Sequence, residues 1–116
     1  MAFQKLILSG STNGRGIAVA NTAIATGTQI HQVSATTTAD FGDEVILYAS
    51  NIDTAAHYLT IGFGGTSASD KQTFTLSANS TTQVMAGIPL QNALNIVAAA
   101  DTINVVNIFG YVLRSS

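Results

Sequence analysis

Apolar residues recur along this chain in short runs, many alternating with Thr, Ser or Asn, and each run closes on a turn-forming cluster. Val, Ile and Thr dominate the runs, and β-branched side chains favour extended backbone. The pattern predicts nine strands, over residues 3–9, 16–21, 28–35, 43–50, 57–63, 71–77, 81–86, 93–99 and 103–113. The breaks between them are Gly10-Ser11-Thr12-Asn13-Gly14, Asn51-Ile52-Asp53-Thr54, the polar stretch from Gly64 to Asp70, and Ala78-Asn79-Ser80. Strands every eight to twelve residues with such punctuation indicate a β-sandwich or barrel. One segment reads two ways. Leu90, Leu94 and Val97 fit helical spacing, so a helical turn competes with a strand before the last run.

The alternation breaks in two places. Residues 45–49, Val-Ile-Leu-Tyr-Ala, are apolar on both faces. In the last run, Val105, Phe109, Tyr111 and Leu113 oppose Val106, Ile108 and Val112. A sheet with one wet face alternates cleanly. A small domain buries few strands twice, so the second apolar face is expected to meet another subunit; loops covering a central strand are the plainer alternative. Residues 1–27 are rich in Gly and Ala and lack bulky apolar runs after Leu8, which suggests an N-terminal arm or edge hairpin ahead of a sandwich domain over 28–116.

Composition sharpens this. The 116 residues are 47% hydrophobic and 9% charged, with net charge −2. Ordinary soluble domains are about 25% charged. A lone monomer of this kind has little colloidal repulsion. No apolar stretch approaches the roughly 18 residues of a membrane-spanning helix. An uncharged polar surface is part of the answer, since Thr, Ser and Asn fill the exposed positions, and self-assembly is the remaining expectation. Four cations, Lys5, Arg15, Lys71 and Arg114, form no basic cluster, which argues against nucleic acid as a partner. The apolar stretch after Lys5 ends too early for a secretory leader, and zero cysteines exclude disulfides and thiolate chemistry.

Candidate chemistry is sparse. His31 and His57 sit on predicted strands as exposed or half-buried side chains, with no Gly-x-Ser-x-Gly elbow to complete a triad. Gly62-Phe63-Gly64-Gly65 lacks the following helix and lysine of a phosphate-binding loop. Asp40, Asp43 and Glu44 are the one acidic cluster; calcium wants six to eight oxygens, so the plain reading is a charged strand entry, with a calcium site at a subunit junction as the sharper one. Asn79-Ser80-Thr81 reads as a turn. The absence of Trp removes the usual sugar-stacking platform. No catalytic, cofactor-binding or metal residue is expected, and the chain is not expected to be an enzyme.

Three stretches carry a resemblance: Asp43-Glu44-Val45-Ile46-Leu47-Tyr48-Ala49-Ser50-Asn51, then Tyr58-Leu59-Thr60-Ile61-Gly62-Phe63-Gly64-Gly65-Thr66, and Asn104-Val105-Val106-Asn107-Ile108-Phe109-Gly110-Tyr111-Val112. Together they resemble small β-rich virion proteins of tailed bacteriophages. The likeness covers roughly the last three quarters of the chain, and its motifs are strand and turn signatures. It implies a head decoration or cement protein: a jelly-roll-like β-sandwich, homo-oligomeric and trimeric, made in the host cytoplasm and bound to the major capsid protein on the outer head surface. Alternatives are a tail, neck or fibre component, or a carbohydrate-binding host-attachment module. Phe3, Leu6 and Leu8, and Phe109, Tyr111 and Val112, are the expected interface residues.

Overall fold

The computed structural model describes residues 3–38 and 41–115. Nine strands are present among them: β1 (Phe3–Ile7), β2 (Ile17–Ala18), β3 (Thr28–Gln32), β4 (Asp43–Asn51), β5 (His57–Phe63), β6 (Lys71–Leu76), β7 (Ser80–Leu90), β8 (Asn95–Ala100) and β9 (Val106–Ser115). The chain is all-β, as the alternation requires. Residues 90–100 are not helical: β7 runs on to Leu90, and Asn92 and Ala93, both at positive φ, turn the chain into β8. The last strand begins three residues later than the pattern suggests, because Asn104 holds a left-handed turn at φ 64°.

The strands form two antiparallel sheets packed face to face. The larger has the order β1-β9-β4-β7, with β2 also on β9; the smaller has the order β3-β8-β5-β6. Leaving aside β2, and apart from the β5–β6 hairpin inside the smaller sheet, successive strands pass between the sheets, a jelly-roll order in which first and last strands are neighbours. The core is aliphatic. Leu47, Val45 and Ile108 from one sheet meet Leu59, Ile61 and Ile96 from the other, and none of them is exposed. Each such side chain contributes about 1.5–3 kcal/mol on burial.

Residues 3–27 are bound into this sandwich. β1 pairs with the C-terminal half of β9, Phe3 opposite Ser115 through Ile7 opposite Tyr111, and β2 continues along the same edge, with Ile17 opposite Ile108. The loop between them crosses to the other sheet. There the Gly10 amide donates to the Ile30 carbonyl at 2.9 Å, and a Cβ on Gly10 would strike the Gln29 and Ile30 carbonyls. Leu8, Ile17 and Val19 are core residues.

Candidate assembly interface

The two strands that are apolar on both sides lie next to each other. β4 and β9 pair along their whole length, from Asp43 opposite Arg114 to Asn51 opposite Val106. Residues directly opposite in a sheet share a face. The inward set is Val45, Leu47, Ala49, Val106, Ile108 and Val112, all buried. The outward set falls into rows across the strands: Ile7, Tyr111 and Ile46 in one, with Ile46 covered by its neighbours at 8% exposure, and Phe109 and Tyr48 in the next. The second apolar faces of the two strands therefore add up to one patch. Phe3 and Ile7 extend it over β1, each more than half exposed. Phe109 packs over Gly16, whose missing side chain leaves room for the ring.

The opposite outer face, on the smaller sheet, is different in kind. It presents Thr60, Thr73, Thr75 and Lys71, with Tyr58 as a solitary exposed aromatic. The sandwich thus has one threonine-rich face and one aromatic and aliphatic face. An exposed contiguous apolar patch is the usual mark of an interaction surface.

Of the six expected interface residues, the structure places Phe3 and Phe109 at the surface and leaves Tyr111 half-buried on the outer face. Leu6 packs partly against the core. Leu8 and Val112 are a correction: at 2% and 0% exposure they lie inside the sandwich and offer nothing to a partner. Tyr48 and Ile7 belong to the patch and were not among the expected six. Strand parity carried the signal, since Tyr48 lies opposite Phe109 and Ile7 opposite Tyr111.

In the acidic cluster, Asp43 and Glu44 open β4, in keeping with a charged strand entry. Asp40 lies outside the described residues. Asp43 and Glu44 are consecutive on β4 and point to opposite faces; Glu44 is exposed and Asp43 is fully buried. The Asp43 carboxylate is already occupied. Arg114 donates to both its oxygens, Nε to Oδ1 at 2.7 Å and a terminal nitrogen to Oδ2 at 2.9 Å. Oδ2 also lies 2.8 Å from His31 Nε2 and accepts the Ser34 amide at 3.2 Å. The Ser9 amide donates to His31 Nδ1 at 2.9 Å, so the ring proton sits on Nε2, facing Asp43. Burial alone would raise the Asp43 pKa, but hydrogen bonds from Arg114 and His31 outweigh it and hold the carboxyl below its ordinary range. The group ties β3 of one sheet to β4 and β9 of the other. Among the described residues no set of three His, Cys, Asp or Glu side chains is arranged to hold a metal ion.

Both histidines are more buried than expected for strand residues. A bulge between Gln29 and His31 breaks the alternation of β3, so Ile30 and His31 both turn inward. His57 is gripped between two carboxylates, Nε2 to Asp53 Oδ2 at 2.7 Å and Nδ1 to Asp101 Oδ1 at 2.8 Å. The hydrogen bond to Asp53, reinforced by Asp101, raises the His57 pKa, and the same bond lowers that of Asp53. This clamp closes the β4–β5 loop against the end of β8. Asn51 adds a second lock there, its amide donating to the carbonyls of Ala55, Leu76 and Ser77. Among the described residues no buried side-chain nitrogen or oxygen lacks a partner.

A depression of about 650 Å³ opens beside Phe109, lined by Ser11, Thr12, Arg15, Gly16 and Asn107 among others. It is a shallow hollow at the rim of the apolar patch. No protein-family model matches this chain, and neither does any curated protein or solved structure.

Proposed function

We propose that this chain is a non-enzymatic structural subunit that works by assembly, and specifically a decoration protein on the outer head surface of a tailed phage. One observation carries the assembly reading: the outer face of the larger sheet is apolar across β1, β9 and β4, in a chain with few charges to keep it apart from its neighbours. Covering such a face contributes about 25 cal/mol per Å² of apolar surface. A repeating shell multiplies modest contacts of this kind by avidity. The charged and polar groups buried in the fold are spent on holding loops and sheets together, which suits a durable part without disulfides.

The phage assignment is supported by the likeness of three strand segments to small virion proteins and by the jelly-roll strand order. Within that reading the partners are other copies of the chain and the major capsid protein, and the place of work is the virion surface.

Quantitative mass spectrometry of purified particles tests this. Many copies in fixed ratio to the major capsid protein are expected. A handful of copies would move the chain to a tail, neck or fibre, and none would overturn the virion role.

A further inference from the structure

The four strands of the larger sheet that span its width, β1, β9, β4 and β7, carry four charged residues: Lys5, Asp43, Glu44 and Arg114. Two of them, Asp43 and Arg114, point inward and pair with each other. The other two, Lys5 and Glu44, are exposed on the outer apolar face, and among the described residues neither is in an ion pair. Lys5 and Glu44 are both in register with Leu113 of β9, one on each side of it. Neighbouring strands lie about 4.8 Å apart, so the two charges flank β9 at about that distance, opposite in sign.

We infer that this face pairs with the same face of a second copy, across a two-fold axis lying close to the direction of β9, with Lys5 of each copy opposite Glu44 of the other. The inference rests on the reading of the chain as an assembling subunit. A two-fold axis in the plane between two sheets exchanges left for right. With the axis along β9, β1 of one copy faces β4 of the other. Lys5 then meets Glu44 twice, and Ile7 comes over the row of Tyr111 and the largely covered Ile46. An axis along β4 sets Glu44 against Glu44, and one along β1 sets Lys5 against Lys5. Like charges held together at an interface are disfavoured. Of the axes along these three strands, only the one along β9 sets opposite charges against each other, as a self-complementary isologous contact requires.

The position of Lys5 agrees. The Lys5 ammonium lies 4.7 Å from the centre of the Tyr111 ring, so it is held down against the face. With this axis β1, β9 and β4 overlap their counterparts and β7 lies outside the contact; three strands about 4.8 Å apart and nine residues long present roughly 400 Å² per copy, about half the roughly 800 Å² of a standard interface. Two sheets packed this way cross at about 30°, which the length of the Lys and Glu side chains accommodates. The pairing is two-fold, where the resemblance implies a trimer.

Charge reversal tests it. Native mass spectrometry of the intact chain should show twice the single-chain mass of 11.9 kDa. Lys5→Glu alone and Glu44→Lys alone should each weaken association roughly tenfold or more, since each puts like charges together twice. Both side chains are exposed, so neither change disturbs the core. An equimolar mixture of the two variants should restore a pair made of one copy of each, because both contacts are then of opposite sign. A monomeric wild-type chain, a mass unchanged by either reversal, or a mixture that stays dissociated would overturn the pairing. Particle copy number is read separately, so loss of the pairing leaves the virion role standing or falling on its own result.

Discussion

Tyr48 stands directly opposite Phe109 on the paired strands β4 and β9, and both rings point away from the core. Within one chain such a cross-strand aromatic pair contributes roughly 0.2–1 kcal/mol. That is a small return for two large apolar side chains placed in solvent, unless something covers them. Replacing both with Ser is expected to lower the unfolding free energy by no more than about 1 kcal/mol while sharply reducing association. Urea unfolding and sedimentation, run on the same sample, separate the two effects. Tyr111→Asp, one row away, is expected to give monomers or insoluble protein.

Arg114 acts on stability by a different route. Removing it leaves the Asp43 carboxylate buried with only His31 and the Ser34 amide as partners. Arg114→Ala is expected to cost about 3 kcal/mol, the low end for breaking a buried ion pair, because Arg114 itself is a third exposed. Chemical denaturation of the variant at neutral pH measures this. Arg114→Met should recover part of the loss from packing alone and no more.

The expected pH profile follows from the clamped groups. His57 has a raised pKa, so its contribution is fully present below its ordinary value of 6.5 and is lost as pH rises through the raised value. Asp43 and Asp53 have lowered values, so their contribution is present above the ordinary 3.8 and is lost as pH falls through the lowered ones. Thermal stability should therefore be highest between about 4 and 6.5 and decline on the alkaline side. The alkaline decline should disappear in His57→Gln. Melting temperature against pH for the two proteins checks it.

At Gly110 a side chain has nowhere to go. A Cβ there would run into the Ile46 carbonyl in the middle of the β4–β9 ladder. Gly110→Ala is expected to destabilise by more than about 2 kcal/mol, through displaced backbone and not through lost contacts. Ala93 is the opposite case. It holds φ at 54°, where Gly sits without the steric cost borne by Ala. Ala93→Gly should be neutral or stabilising by up to about 1 kcal/mol, and thermal melts of the two variants should move in opposite directions.

Much of this architecture was legible in the sequence because the strands alternate. Each of the nine strands overlaps a run that the alternation and the turn clusters delimit, though β2 shrinks to two residues, β7 runs four residues further and β9 starts three later, and the sequence shows β4 and β9 as apolar on both faces. What could not be read was that these two strands are neighbours. They are separated by more than fifty residues, and pairing order is set by the whole topology. Hydrophobicity alone does not separate the inward from the outward positions of a strand, which parity does. Phe109 and Tyr111 face out, while Val112 between Tyr111 and Leu113 faces in, as Leu8 does beyond Ile7. The His31–Asp43–Arg114 group joins residues 12 and 71 positions apart and depends on a bulge at Gln29–His31, so neither spacing nor alternation announces it. Proximity in sequence misled in the other direction for Asp43 and Glu44, which a strand sends to opposite faces.

The most direct test of an assembly face is chemical footprinting with hydroxyl radicals, read residue by residue, on dilute chain and on the assembled protein. Tyr58, 65% exposed on the other sheet, serves as the internal reference. The account predicts that Tyr48 and Phe109 lose reactivity on assembly while Tyr58 keeps its own. Tyr48 and Phe109 remaining as reactive in the assembled protein as in the dilute chain would contradict it.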